Sequence, residues 1–198
     1  MINKHSLDGV KDAIFEKCAK EIGCEVACLR AVTEVECGGR GCFFAEGKPA
    51  ILFEGHVFWR NLKDPEKYVV GNEDILYPTW TKDYYKGGLG EYERLERAKK
   101  IDETAALKAA SWGAMQVLGE NYKSCGCSTV QEFVEKMSES GESQLELATK
   151  FILHHPKMAQ ALRDKDWETF ARLYNGKGYK KNHYDEKLAA AYIKHKDF

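Results

Sequence analysis

The chain has 198 residues, about the length of one domain that can bury a core without staples. Formal net charge is -1, with no long Lys/Arg run, which excludes the dense basic face of a nucleic-acid binder. No stretch approaches the roughly 18 apolar residues of a membrane span, so membrane insertion is not expected.

The opening MINKHSLDGVKD lacks the apolar core of a signal peptide, so synthesis in the cytoplasm is expected. Residues 7–22 follow the helical period through Leu7, Val10, Ile14 and Cys18, with Ser6 as N-cap and Gly23 as breaker. Residues 25–36 form a second helix with Leu29, Val32 and Val35 on one side, stopped by Gly38-Gly39. Phe43, Phe44 and the turn Glu46-Gly47-Lys48-Pro49 lead into Ala50-Ile51-Leu52-Phe53, a short strand or a small hairpin around Gly47. His56 to Leu62 is expected to form a brief helix.

Residues 63–91 read as a long irregular loop carrying Tyr68, Tyr77, Trp80, Tyr84 and Tyr85. Such loops are uncommon inside a compact domain and often functional. The rings suit a sugar-binding wall and suit equally well the packing of the loop itself. Helices return over residues 91–109, 129–138, 143–162, 167–174 and 183–195, each with an apolar stripe. No repeat or linker interrupts them. The reading is a mainly α single domain over residues 1–198, with one small β element near residues 43–55.

Seven cysteines are many and odd in number. None of their spacings matches a C-x-x-C pair with a second pair or His partners, so zinc is not expected. Buried free thiols are the leading reading, and a disulfide between the early helices stays open. His154-His155 before Pro156 reads as an ordinary helix end rather than a metal site. No metal and no cofactor are expected.

The chemistry is expected at Glu36. It falls in the last turn of an amphipathic helix, where the negative end of the helix dipole and partial burial both disfavour ionisation. A carboxyl group held neutral there can act as a general acid near neutral pH. A Glu at a helix end is more commonly a solvated surface residue, so the reading leans on the rest of the chain. Glu54, leaving the β element beside the glycine turn, is the nearest candidate for a second carboxylate. It can equally be structural, paired with His56 or Arg60 or orienting Glu36.

Three segments together carry a resemblance: Glu36-Cys37-Gly38, Gly113-Ala114-Met115-Gln116-Val117, and Ala171-Arg172-Leu173-Tyr174-Asn175-Gly176. They resemble the catalytic turn, the G-x-M-Q-V groove segment and the late Y-N-x-G helix end of the lysozyme superfamily, lytic transglycosylases and goose-type lysozymes in particular. The wording EVECGGRGCFFAEGKPAILFEGHVFWR, SWGAMQVLGENY and FARLYNG is similar to the N-acetylmuramidase domain of phage endolysins, over about Val10 to Tyr192. Cys37 departs from the Ser that those families usually carry.

The resemblance implies a lysozyme-like helical fold that cleaves the β-1,4 bond between N-acetylmuramic acid and N-acetylglucosamine in peptidoglycan glycan strands, the expected partner of a monomer. It makes Glu36 the general acid and leaves Glu54 as a possible base. Substrate contacts are expected from Met115, Gln116, Tyr174, Asn175, His56 and Tyr122, with a core role for Met115 equally open. No separate cell-wall binding domain is visible. Action on the wall is expected after holin-type release, or by injection. Two alternatives stay open: a lytic transglycosylase giving 1,6-anhydro products, and a non-catalytic peptidoglycan-binding module. A redox- or metal-linked protein is a third, weaker one.

Overall fold

A computed structural model of the chain describes residues 9–196, with ten α-helices and two small antiparallel sheets among them. Helix α1 (Asp12–Ile22) buries Phe15, Cys18, Ala19 and Ile22, the stripe that a 3.6-residue period places on one face. It starts later than the sequence suggests. Lys11 occupies the N-cap, and Ser6 and Leu7 lie outside the described residues. Helix α2 (Val26–Cys37) buries Leu29, Val32 and Glu36. Gly38 ends it with φ 52°, its N–H donating to the Glu34 carbonyl. That left-handed cap is the geometry glycine reaches without penalty.

The β element divides in two. Strands β1 (Phe43–Ala45) and β2 (Lys48–Pro49) form a hairpin around Glu46-Gly47. Strand β3 (Ile51–Phe53) leaves that hairpin and pairs with β4 (Ala110–Trp112), which pairs in turn with β5 (Val117–Leu118). Ile51 faces Trp112 and Phe53 faces Ala110. Strands of two or three residues carry no readable period, so β4 and β5 are not foreseen from the sequence. Pairing with β4 fixes the position at which the chain leaves β3, and hence Glu54.

Helix α3 (Gly55–Asn61) follows, then a long loop broken by a 3₁₀ turn at Pro65–Tyr68. The loop is anchored from helix α4 (Gly90–Lys99). Arg94 and Glu91 are both fully buried and paired at 2.8 Å. Arg94 also donates to the carbonyls of Phe53 and Asp74, while Glu91 accepts from the amides of Phe53, Lys86 and Gly87. A buried ion pair is tolerated when its remaining donors and acceptors are satisfied like this. The pair therefore clamps the middle and the far end of the loop to the exit of β3.

Helix α5 (Glu103–Lys108) is capped by Asp102, which accepts from the Ala105 amide. Helices α6 (Val130–Glu139), α7 (Gly141–His154), α8 (Pro156–Asp164), α9 (Trp167–Tyr174) and α10 (Tyr184–Lys196) complete the fold. The helical stretch over 143–162 is two helices, divided at the helix end that His154-His155 before Pro156 mark in the sequence. Pro156 opens α8 at its first position and drives His155 out of the helical region, to φ -112° and ψ 87°. Proline lacks the N–H and disfavours helical geometry in the residue before it. Helix α10 is pinned to α2 by Lys194 and His195, each 2.8 Å from Glu34. Phe53, Phe58, Phe133 and Phe170 are fully buried, and truncating one of them to Ala costs about 3–5 kcal/mol.

Candidate active site

Two helix ends meet at Glu36. The last turn of α2 supplies the carboxyl group, only 5% exposed. The end of α9 supplies Asn175, whose Nδ2 donates to Glu36 Oε1 at 2.8 Å. Burial pushes the Glu36 carboxyl up to about 7, against smaller opposing pulls from the Asn175 hydrogen bond and from Arg40. Desolvation penalises the anion more than one neutral amide and one exposed cation can compensate. The group is thus poised between its two forms at neutral pH.

Arg40 also donates to the Glu36 carbonyl at 2.7 Å, which ties the glycine turn back onto the helix end. The Cys37 sulfur accepts from the Gly41 amide at 3.1 Å. A serine oxygen would take the same bond, so cysteine here preserves the turn by the same contact. Tyr184, at the start of α10, feels the Glu36 charge and has its pKa raised, chiefly by burial.

The Gly113–Val117 turn lies against this end of α9. Tyr174 donates from its hydroxyl to the Met115 carbonyl at 2.7 Å. The Tyr174 pKa is held well above its usual value by burial first, then by Glu36 and Cys125. The turn is rigid for a reason the sequence hides. Gln144 of α7, fully buried, accepts from the Ala114 amide and donates to the carbonyls of Cys42 and Met137. Gly113 sits at φ 72°, and a Cβ there would come within 2.7 Å of the Gln144 side chain.

Glu54 leaves β3 at the N-cap of α3 and accepts from the Tyr85 hydroxyl at 2.5 Å. Burial raises its pKa, while Tyr85 and then Arg94 pull the other way. His56 Nδ1 stands 3.5 Å from Glu54 Oε2 and, among the described residues, has no hydrogen-bond partner. Arg60 pairs with Glu120 instead of Glu54.

The sequence-predicted site residues separate into groups. Asn175 and Glu36 are brought into contact, and Tyr174 is placed beside them through Met115 and the adjoining turn. Met115 is 1% exposed. Its thioether is a core group, not a groove contact, because the turn's tight packing on Gln144 and Tyr174 leaves only its carbonyl at the site. Gln116 is half-buried at φ 49°, and its Nε2 is already spent on the carbonyls of Gly113 and Ala50. Tyr122 packs half-buried against the core. Trp112 is fully core, its indole donating to the Leu107 carbonyl.

Sequence reasoning missed Arg40, Tyr184, Gln144 and the Glu91–Arg94 pair, and named Tyr85 only as a loop aromatic. The one readable signal is the spacing of Arg40, four residues after Glu36. Among the described residues no group of three or more His, Cys, Asp or Glu is placed to hold a metal ion. Burial pushes the Cys24 and Cys125 thiols up to about 12, which keeps them protonated and unreactive.

The site therefore offers a buried carboxyl able to give up a proton near pH 7 and a second carboxylate held by a tyrosine hydroxyl. No curated protein matches the chain. Among solved structures it is similar to the endolysin of Burkholderia AP3 phage, at 37% identity and a TM-score of 0.85, covering 95% of this chain and 71% of that one. The N-acetylmuramidase family model matches residues 25–196, which takes in every site residue named above. The chain belongs to the N-acetylmuramidase family, with the lysozyme-like fold of a glycoside hydrolase that degrades peptidoglycan.

Proposed function

We propose that Glu36 is the general acid of this muramidase, protonating the oxygen between N-acetylmuramic acid and N-acetylglucosamine as the bond breaks. The observation that carries the reading is the buried carboxyl with its pKa near 7, hydrogen-bonded by Asn175. In glycoside hydrolysis the acid must be protonated while the second carboxylate stays ionised, and different surroundings keep the two apart. Glu54 takes the second role. Its Tyr85 hydrogen bond favours the anion and fixes which oxygen is free to activate water. The chain works as a monomer on glycan strands, with Gln116, Tyr122, Tyr174 and His56 bordering the bound sugar.

Glu36→Gln tests the acid. It should keep the fold and lose about 10²–10⁴-fold in cleavage of purified peptidoglycan. Wild-type turnover in that variant would remove Glu36 from the mechanism, and peptidoglycan binding by the wild type without released muropeptides would make the chain a binding module. Mass spectrometry of the products decides between water and the sugar's own 6-hydroxyl as the attacking group. Reducing muramic ends mean hydrolysis, which we propose, and 1,6-anhydro ends mean transglycosylation. No helix among the described residues is long and apolar enough to cross a membrane. That fits release from the cytoplasm through a holin-type lesion. Lysis of expressing cells only when a membrane-permeabilising protein is co-expressed would support this route.

A further inference from the structure

An open cleft of about 630 Å³ lies between the α7–α8 break and the end of α9, next to the site but not part of the chemistry described above. Its size falls within the roughly 300–1,000 Å³ of small-ligand sites. Phe151, Met158 and Leu173 give it an apolar lining, and Tyr174 forms one wall. The Tyr174 ring is fixed there, stacked on Phe170 at 5.4 Å and meeting Phe151 edge-on at 5.8 Å. Its hydroxyl holds the Met115 carbonyl, and the next residue, Asn175, holds Glu36. One wall of the cleft is thus the residue next to the one that holds Glu36.

Its one formal charge is positive. Lys157 lines it beside the imidazoles of His154 and His155, and no Asp or Glu does, in a chain with 31 acidic and 30 basic residues. Among the described residues neither Lys157 nor His154 takes part in an ion pair, and both are exposed. His155 Nδ1 lies 2.7 Å from the Phe151 carbonyl. A carbonyl only accepts, so Nδ1 carries the proton and Nε2 remains unspent. The break at Pro156 is what turns these three side chains onto one rim.

We propose that this cleft binds the peptide stem of the muramic acid unit. The inference rests on the peptidoglycan reading above. The two sugars of the strand differ in that muramic acid carries a lactyl ether bearing a short peptide with small aliphatic side chains and free carboxylates. An apolar floor, the Lys157 ammonium for a carboxylate, imidazole nitrogens for the peptide N–H and C=O groups, and no opposing acidic group complement that ligand. A bare N-acetylglucosamine unit, which is uncharged, has no use for the rim.

The test compares two substrates: intact peptidoglycan, and the same glycan strands after an amidase has removed the stems. For His154→Ala/Lys157→Glu, the ratio of kcat/KM on intact to that on stripped strands should fall about tenfold relative to wild type. That is the loss of about one charge-assisted contact. Lys157→Arg should keep the wild-type ratio. An unchanged ratio in the double variant overturns the proposal, whether activity falls equally on both substrates or on neither. A wild-type protein that cleaves neither substrate overturns the peptidoglycan reading and the stem pocket with it. One that cleaves both at an unaltered ratio in the variant overturns the stem pocket alone.

Discussion

Asn175 donates to Glu36 across 2.8 Å, joining the last turn of α2 to the end of α9 over 139 residues of sequence. This contact does two things to the carboxyl. It sets the position of Oε1, and it partly offsets the burial that pushes the group up to about 7. Asn175 Oδ1 is itself buried without a hydrogen-bond partner among the described residues, so the amide stands close to its limit of burial.

Glu36 makes stability depend on pH. Its folded pKa of about 7 exceeds its ordinary value of 4.5. The protonated group is accommodated below about pH 4.5, and stability is lost as pH rises through 7, because the folded state must then hold a buried anion. Glu36→Gln removes that cost. It should raise stability at pH 8 by at most about 3 kcal/mol and change little at pH 4. Thermal melts at the two pH values check this, and an equal effect at both would contradict it.

Asn175→Ala should move the alkaline limb of the activity profile. The amide favours the Glu36 anion, so its loss raises the carboxyl pKa further. The acid form then survives to higher pH, and the falling limb of kcat/KM shifts upward from about 7. A downward shift would mean that Asn175 serves the neutral form instead.

Tyr85→Phe should act on the other limb. Without its hydroxyl, Glu54 loses the donor that holds down a pKa already raised by burial. Glu54 then protonates at higher pH, so the acidic limb moves up and activity at pH 5 drops while the melting temperature changes little. An unmoved acidic limb would argue that Glu54 is not the ionised partner.

The buried pair beneath the loop should be costly to break. Glu91→Gln leaves Arg94 charged and fully buried beside a neutral amide, which costs about 3–5 kcal/mol in denaturant unfolding. The loop carrying Tyr85 would loosen at the same time, because the Lys86 and Gly87 amides bind the same carboxylate. A loss under 1 kcal/mol would show the clamp to be dispensable.

Trp80 is 56% exposed, and its indole N–H approaches the Tyr85 hydroxyl that binds Glu54. An aromatic face held beside the carboxylate we propose as the second catalytic group suits stacking on a sugar ring. Trp80→Ala should raise KM on glycan strands several-fold and leave kcat nearly unchanged. A fall in kcat with KM constant would place Trp80 behind Tyr85 as a support instead.

Most helices were legible because each buries one face against a core, and burial imposes a 3.6-residue period that the sequence must carry. The stop at Gly38 was legible for a similar reason, since a left-handed cap demands a particular residue. Strands β4 and β5 were not, because they are too short for a period and exist only through pairing with β3. The apolar stripe runs on through 143–162, but the break within it was legible at Pro156, where His154-His155 read as a helix end, because a proline's missing N–H is local chemistry. For Met115 the sequence left groove and core open, and its 1% exposure, which depends on how distant segments close over the turn, decides for the core.

What the sequence determined by itself was the carboxyl group at the end of α2 and the turn that follows it, because helix ends and glycine caps are local chemistry. Tertiary structure alone decided how completely this group would be buried, that Asn175 would reach it, and that Tyr85 would hold Glu54. Desolvation and long-range hydrogen bonds belong to surroundings assembled from distant segments, and a pKa of about 7 is a property of those surroundings rather than of the residue.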